Sequence, residues 1–142
     1  MRISPAAHDL LGEIVARKTV AAEVGGAGAW LAVVVSGFLA NWLVGMAAVF
    51  ATMGRTIIGK YVPVVLAVTA FVAAGFQHSP ANMGYSSLAA AFGQPPDWGT
   101  VLAWNLLPAG IGDILGGGLA VAALLGWAYA RYQAPPPTTP LS

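Results

Sequence analysis

Three long apolar runs, almost free of charged residues, are the feature that most constrains this chain. No Asp, Glu, Lys or Arg lies between Val24 and Gly54 or between Tyr61 and Pro96, and Asp113 is the only one from Trp98 to Ala130. Runs of 18 or more apolar residues are typical of transmembrane helices. Only 8% of the residues are charged, against about 25% in a soluble domain. The sequence therefore predicts an all-α integral membrane protein with three membrane segments.

The ends of the chain differ from this apolar middle. We predict an extramembrane or interfacial helix over 1–23, a transmembrane domain over 24–132 and a disordered, proline-rich tail over 133–142. The spans are expected at about 28–53, 61–92 and 100–132, with a smoother helix over Ile114–Tyr129. The first segment lacks the apolar core of a signal peptide. Without cysteine, disulfides and thiolate metal sites are excluded. We predict no cofactor, no metal and, lacking a basic patch, no nucleic acid partner.

The middle run is too long for a single straight helix across a bilayer. Its 32 residues would extend about 48 Å, whereas the hydrocarbon core is about 30 Å thick. Gly75 is a helix-ending residue, and Ser79 followed by Pro80 is typical of a helix start, with the serine as the N-cap. The sequence therefore predicts two half-helices, Val62–Ala74 and Pro80–Phe92, broken near 76–80.

The predicted break carries side chains that suit an anion pathway. A helix start presents unpaired N–H groups and a positive dipole end, which favour an anion. His78 can supply a proton near neutral pH, and Asn82 lies one turn later. Discontinuous helices near the membrane midplane commonly form transporter sites. The alternative is a proline kink whose polar groups only satisfy one another.

Two further features leave alternatives open. The GxGD stretch that includes Gly112 and Asp113 resembles the signature of intramembrane aspartyl proteases, but that chemistry needs two carboxylates and the membrane segments contain one. We therefore predict that the protein is not an enzyme. Gly112 and Gly116 have the spacing of closely packed helices. Asn41, in the first span, either joins helices or lines a pore.

Together these stretches resemble the formate/nitrite transporter family. The matching segments are Asn41 to Val44 (NWLV), Gly75 to Met83 (GFQHSPANM) and Asn105 to Gly117 (NLLPAGIGDILGG), in the family's order and with similar spacing. The similarity extends over about Lys18 to Arg131. Lys18 resembles a family lysine, but its separation from Asn41 is longer, and we do not count it as a site residue.

The resemblance implies transport of small monovalent anions of weak acids, such as formate or nitrite, together with protons. It implies an aquaporin-like bundle in the bacterial inner membrane, assembled as a pentamer. By position, His78 is similar to the family's central pore histidine, and Asn82 and Asn41 to its pore-associated asparagines. Phe71 and Val44 fall at its apolar constrictions. An anion that passes as the neutral acid, after gaining a proton through His78, avoids most of the desolvation cost.

The chain also departs from the family pattern. The resemblance covers only the second of two inverted repeats, which implies half a protomer that needs a complementary half chain, a dual-topology partner, or a truncated fragment. Gln77 replaces the usual glutamate and Asp113 the usual asparagine, so both are expected to modulate the site. The alternative function is a non-conducting membrane scaffold or inactive fragment. Basic residues place 54–60 and the C-terminus in the cytoplasm.

Overall fold

The computed structural model describes residues 4–133, and every regular element in this range is helical. We number five helices, the last of which is continuous through two π-helical stretches. They are α1 (Pro5–Val24), α2 (Gly26–Met53), α3 (Ile57–Ala73), α4 (Ser79–Ala91) and α5 (Trp98–Tyr132). Apart from residue 133, the tail predicted at 133–142 lies outside the described residues.

Local capping signals set most of the helix boundaries. Ser4 caps α1 by accepting a hydrogen bond from the backbone N–H of Ala7 (3.2 Å). Gly25, with φ of 70°, separates α1 from α2. Thr56 caps α3 in the same way as Ser4 caps α1. Because this cap precedes the apolar run, Lys60 lies in α3 and not in the loop expected at 54–60.

Two helices in the described range are long and apolar enough to cross a membrane. These are α2, with 28 residues, and α5, with 35 residues, which correspond to about 42 Å and 52 Å of helix. The middle run instead forms α3, of 17 residues, and α4, of 13 residues. No residue of α3, or of α5 from Leu124 onwards, is buried. These apolar surfaces suit contact with lipid or with other protein.

The interface between α2 and α5 is built on glycine. A methyl group on Gly112 would overlap the backbone carbonyl of Val34, and one on Gly116 would overlap that of Phe38. Gly37 of α2 packs in the same way against the backbone of Ala109. The two backbones therefore lie in direct contact, as the spacing of Gly112 and Gly116 predicts.

Two stretches of α5 are π-helical, Leu102–Leu106 and Ile114–Ala123. Pro108 lacks an N–H and its ring crowds the preceding turn, so the helix widens before it and Leu107 N–H bonds the Leu102 carbonyl. The second stretch contains three consecutive glycines, 116–118. The smoother helix predicted over Ile114–Tyr129 is therefore wrong for its first ten residues.

Candidate functional site

The chain leaves helical conformation between Ala73 and Ser79, in the middle of the second apolar run. Gly75 turns the backbone with φ of 69°, a conformation that glycine adopts without strain. The polar backbone groups of the break are paired with other helices. The Lys18 ammonium of α1 donates to the carbonyls of Phe76 (2.7 Å) and Gly75 (3.4 Å). The N–H of Gln77 donates to the hydroxyl of Ser36 on α2 (2.8 Å). The break is thus held by two neighbouring helices.

The prediction that Ser79 is the N-cap of the second half-helix is wrong by one residue. His78 occupies the N-cap position and Ser79 is the first residue of α4. The cause is Asp113 of α5, whose Oδ2 accepts hydrogen bonds from both the N–H (2.8 Å) and the hydroxyl (2.5 Å) of Ser79. The acceptor that caps α4 therefore comes from another helix, and the serine hydroxyl donates instead of accepting.

The carboxylate of Asp113 is the centre of the site. Its Oδ1 lies 3.1 Å from Nδ1 of His78, while its Oδ2 accepts from Ser79. Asp113 is buried. A carboxylate in this position interacts favourably with the positive end of the α4 dipole as well as with the two hydrogen-bond donors of Ser79. The helix start expected to attract a solute anion is therefore occupied by a carboxyl group of the protein itself.

A second polar cluster adjoins the first and centres on Gln77. Its side-chain oxygen accepts from the amides of Asn82 (2.9 Å) and Asn105 (3.1 Å). Asn105 also donates to the backbone carbonyl of Lys18 on α1. Asn82 and Asn105 are each only 1% exposed, so this cluster joins α1, α4 and α5 in the interior of the protein.

The remaining predicted site residues lie at different distances from this centre. Asn41 donates to the backbone carbonyl of Asp113 (2.7 Å), so it joins α2 to α5. The ring of Phe71 packs edge-on against His78, with centroids 5.7 Å apart. Val44 is half-buried on α2 and takes part in none of the contacts described above. The structure thus brings together every predicted site residue except Val44.

Three residues that hold the site were not among the predicted set: Lys18, Ser36 and Asn105. Asn105 lies in one of the segments that resemble the family. Its part in the site becomes evident only from its burial in the structure. Lys18 is not among the predicted site residues because of its spacing from Asn41. In the structure α1 nevertheless brings its ammonium group to the break. Burial lowers the pKa of Lys18. Nothing in the sequence around Ser36 indicates its contact with the break.

The break opens onto a cavity of about 220 Å³. Basic and aromatic side chains of α1, α3 and α4 contribute to its lining, among them Arg17, Lys18, Phe71 and Tyr85. A small anion would meet positive charge in this cavity next to the residues of the break. Within the described residues, the ring hydrogen bonds of His78 involve Nδ1 only.

The sequence is similar to those of known transporters and channels. The sequence model of the formate/nitrite transporter family matches residues 4–127. A "Probable formate transporter" of Methanothermobacter thermautotrophicus is 37% identical over 91 residues, 64% of this chain and 33% of that protein. The formate channel FocA of Escherichia coli strain K12 is 34% identical over 113 residues, which cover 67% of this chain and 40% of that protein. An uncharacterised transporter, YrhG of Bacillus subtilis strain 168, is 35% identical over 99 residues, 70% of this chain and 36% of that protein.

These relatives are named as transporters or channels, and the chain spans between 33% and 40% of their lengths. The family match covers most of the chain and includes the break, the Asn41 segment and the Asp113 segment. Its apolar helices are those of a transmembrane protein. The chain belongs to the formate/nitrite transporter family.

Proposed function

We propose that this chain forms one wall of a pore for small monovalent anions of weak acids, of the formate or nitrite type, and that the anion crosses together with a proton exchanged at His78. The observation that carries the proposal is the geometry of the break. His78 is held from its Nδ1 side by Asp113, while Nε2 has no hydrogen-bond partner among the described residues. A titratable ring with one engaged and one available nitrogen can pass a proton to a solute.

Desolvation gives the physical reason for such a group in an apolar channel. Moving an unpaired ion from water into a low-dielectric interior is prohibitively costly, whereas a neutral acid loses only hydrogen bonds. Phe71 stands beside His78, which suits an apolar constriction where protonation is needed. In this proposal Asn82, Ser79 and Asn41 keep the wall of the pore in shape, since each hydrogen-bonds other protein groups. Val44 is assigned to a second apolar constriction by the family resemblance alone.

A single wall does not enclose a pore, so the proposal includes further protein. The described residues contain one broken helix, and the aquaporin-like arrangement needs a second that faces it. That helix would come from additional sequence, from a complementary half chain or from a second copy in the opposite orientation. The unburied apolar surface of α3 is suited to such packing. We place the assembly, as a family-type pentamer, in the bacterial inner membrane with the C-terminus in the cytoplasm.

One observation favours the alternative of a non-conducting scaffold. Most polar side chains of the break have partners within the chain, as expected of a kink whose groups only satisfy one another, although Oδ1 of Asn82 has none among the described residues. An aspartyl protease is disfavoured because both oxygens of Asp113 are bonded to His78 and Ser79. The other acidic residues of the described range (Asp9, Glu13, Glu23 and Asp97) lie on α1 or in the turn before α5.

Anion flux in proteoliposomes tests the proposal. The chain is reconstituted with a complementary half, and formate and nitrite uptake are followed with a trapped pH-sensitive dye. We expect His78→Gln to lower the flux by at least about 100-fold, the lower end of the range for positioned proton transfer, about 10²–10⁴-fold. His8→Gln is the matched control, since His8 lies at the start of α1 and contacts Gln94. Equal flux in wild type and His78→Gln would exclude the proposed role, and no flux with any partner would favour the scaffold.

A further inference from the structure

The contacts of Asp113 determine which nitrogen of His78 carries the proton. An ionised carboxylate accepts hydrogen bonds and donates none. Its Oδ2 already accepts from two donors of Ser79, and its Oδ1 faces Nδ1 of His78 at 3.1 Å. The hydrogen bond between them therefore requires a proton on Nδ1. In the neutral ring the other nitrogen, Nε2, then has a lone pair and no proton.

We propose that Asp113 is a positioning residue that locks neutral His78 in the Nδ1–H form and thereby makes proton uptake a condition for binding the anion. This inference rests on the proposed function and adds a coupling rule to it. A bare Nε2 repels an anion, because both are acceptors. It can accept a hydrogen bond from the neutral acid, or it can take up a proton and then donate to the anion. Both routes carry one proton for each anion.

The charged groups around His78 fit this rule. Asp113 approaches the ring from α5, and Lys18 of α1 binds the carbonyl of Phe76, two residues before it. The ring contact from α3 is the uncharged Phe71. The side chain of Gln77 is neutral and is bonded to Asn82 and Asn105. Asp113 is thus the only acidic side chain of residues 4–133 that contacts the ring, and it does so on the Nδ1 side.

Changing this aspartate to asparagine should reverse the tautomer. The backbone N–H of Ser79 is a fixed donor 2.8 Å from Oδ2, so the amide of Asp113→Asn must turn its oxygen towards Ser79. Its NH₂ group then points at Nδ1 of His78 and can only donate. Nδ1 becomes the acceptor, and the proton moves to Nε2. A neutral His78 in this variant can donate to an anion without first taking up a proton.

Nitrogen NMR of protein labelled with ¹⁵N-histidine, in nanodiscs and at a pH where His78 is neutral, tests this step directly. The His8→Gln background leaves His78 as the one histidine of the chain. We expect Nδ1 to carry the proton in wild type and Nε2 to carry it in Asp113→Asn. Asp97→Asn, which removes a carboxylate from the start of α5, is the matched control and should keep the wild-type form. A wild-type spectrum with the proton on Nε2 would overturn the inference even if Asp113→Asn failed to fold.

The coupling rule is tested by the pH profile of flux in the co-reconstituted liposomes. A requirement for one proton per anion makes the wild-type flux fall by about tenfold per pH unit wherever the proton is limiting. We expect a clearly shallower fall in Asp113→Asn and an unchanged slope in Asp97→Asn. Equal slopes in all three proteins would overturn the coupling rule. Failure of the proposed function would be distinguishable from failure of the coupling rule. The flux would then not depend on His78, while the NMR spectra would still show the expected tautomers.

Discussion

Gly112 lies where α5 presses most closely on α2, and its replacement by alanine tests whether this contact positions the site. A Cβ at Gly112 would lie 2.7 Å from the Phe38 nitrogen and 3.0 Å from the Gly37 carbonyl carbon, and it would overlap the Val34 carbonyl. These neighbours are backbone atoms of a helix, so they cannot swing aside as a flexible side chain would. The two helices must move apart, and with them Asp113, the next residue.

The expected cost follows from two opposing effects. Overpacking of a well-packed interior costs about 1–3 kcal/mol, and an overlap with three backbone groups belongs at the upper end of that range. Alanine stabilises an exposed helix by about 1 kcal/mol relative to glycine. We therefore expect Gly112→Ala to lower the free energy of unfolding by about 2 kcal/mol. Gly126→Ala is the matched control on the same helix, because no heavy atom lies within 4 Å of its added Cβ, and it should be neutral or stabilising.

Unfolding by SDS in mixed micelles, followed by far-UV circular dichroism, measures both variants against wild type. The same Gly112→Ala protein should lose the Asp113-dependent tautomer of His78, since Asp113 has moved together with α5. If Gly112→Ala and Gly126→Ala unfold alike, the close contact between α2 and α5 is wrong. If Gly112→Ala is destabilised but the His78 spectrum is unchanged, the contact supports stability and does not position the site.

Two further predictions concern Lys18 on α1 and Asp97 in the turn before α5. Lys18→Met should destabilise the protein by about 1.5–3 kcal/mol, the usual contribution of a hydrogen bond to a charged group, whereas the exposed neighbour Arg17→Met should have little effect in the same SDS assay. Burial lowers the pKa of Lys18 below its ordinary value of 10.5. Between the lowered pKa and 10.5 the unfolded chain binds more protons than the folded protein, so the stability of the wild type should rise with pH in this interval. Lys18→Met should lack that rise. Hydrogen bonds from the Thr100 side chain and the Gly99 backbone lower the pKa of Asp97 below 3.8. The stability that Asp97 contributes is therefore present above pH 3.8 and is lost as the pH falls through the lowered pKa. Asp97→Asn should remove this acid sensitivity in thermal melts, and an unchanged acid profile would contradict the assignment.

The parts of the fold that sequence could predict are those set by local chemistry. The uncharged runs predict apolar helices, and Gly75 followed by Pro80 predicts an interruption between them, because glycine and proline act through their own backbones. The spacing of Gly112 and Gly116 predicts a close helix contact for the same reason. The π-helical stretches of α5 are not predicted, because a proline or a run of glycines does not by itself decide between a widened turn, a kink and a helix end.

The parts that sequence could not predict depend on contacts between distant segments. Lys18 and Phe76 are 58 residues apart, and Ser79 and Asp113 are 34 residues apart. Ser79 shows the consequence most clearly. Its position before Pro80 favours an N-cap role, yet a carboxylate from α5 supplies a stronger acceptor and moves the cap to His78. A local propensity of about 1 kcal/mol is readily outweighed by a charge-assisted hydrogen bond.

The break depends on tertiary contacts, although the residues that end its helices act through their own backbones. Its carbonyls are bonded by Lys18 of α1, its Gln77 N–H by Ser36 of α2, and its Ser79 N–H by Asp113 of α5. Backbone groups without partners are costly in hydrocarbon. The helix break within 57–91 is therefore stable only when α1, α2 and α5 are in place. One of the three residues that pair the break, Asp113, also contacts the ring of His78. In this chain, packing of α5 against the break and orientation of the His78 ring are therefore one event.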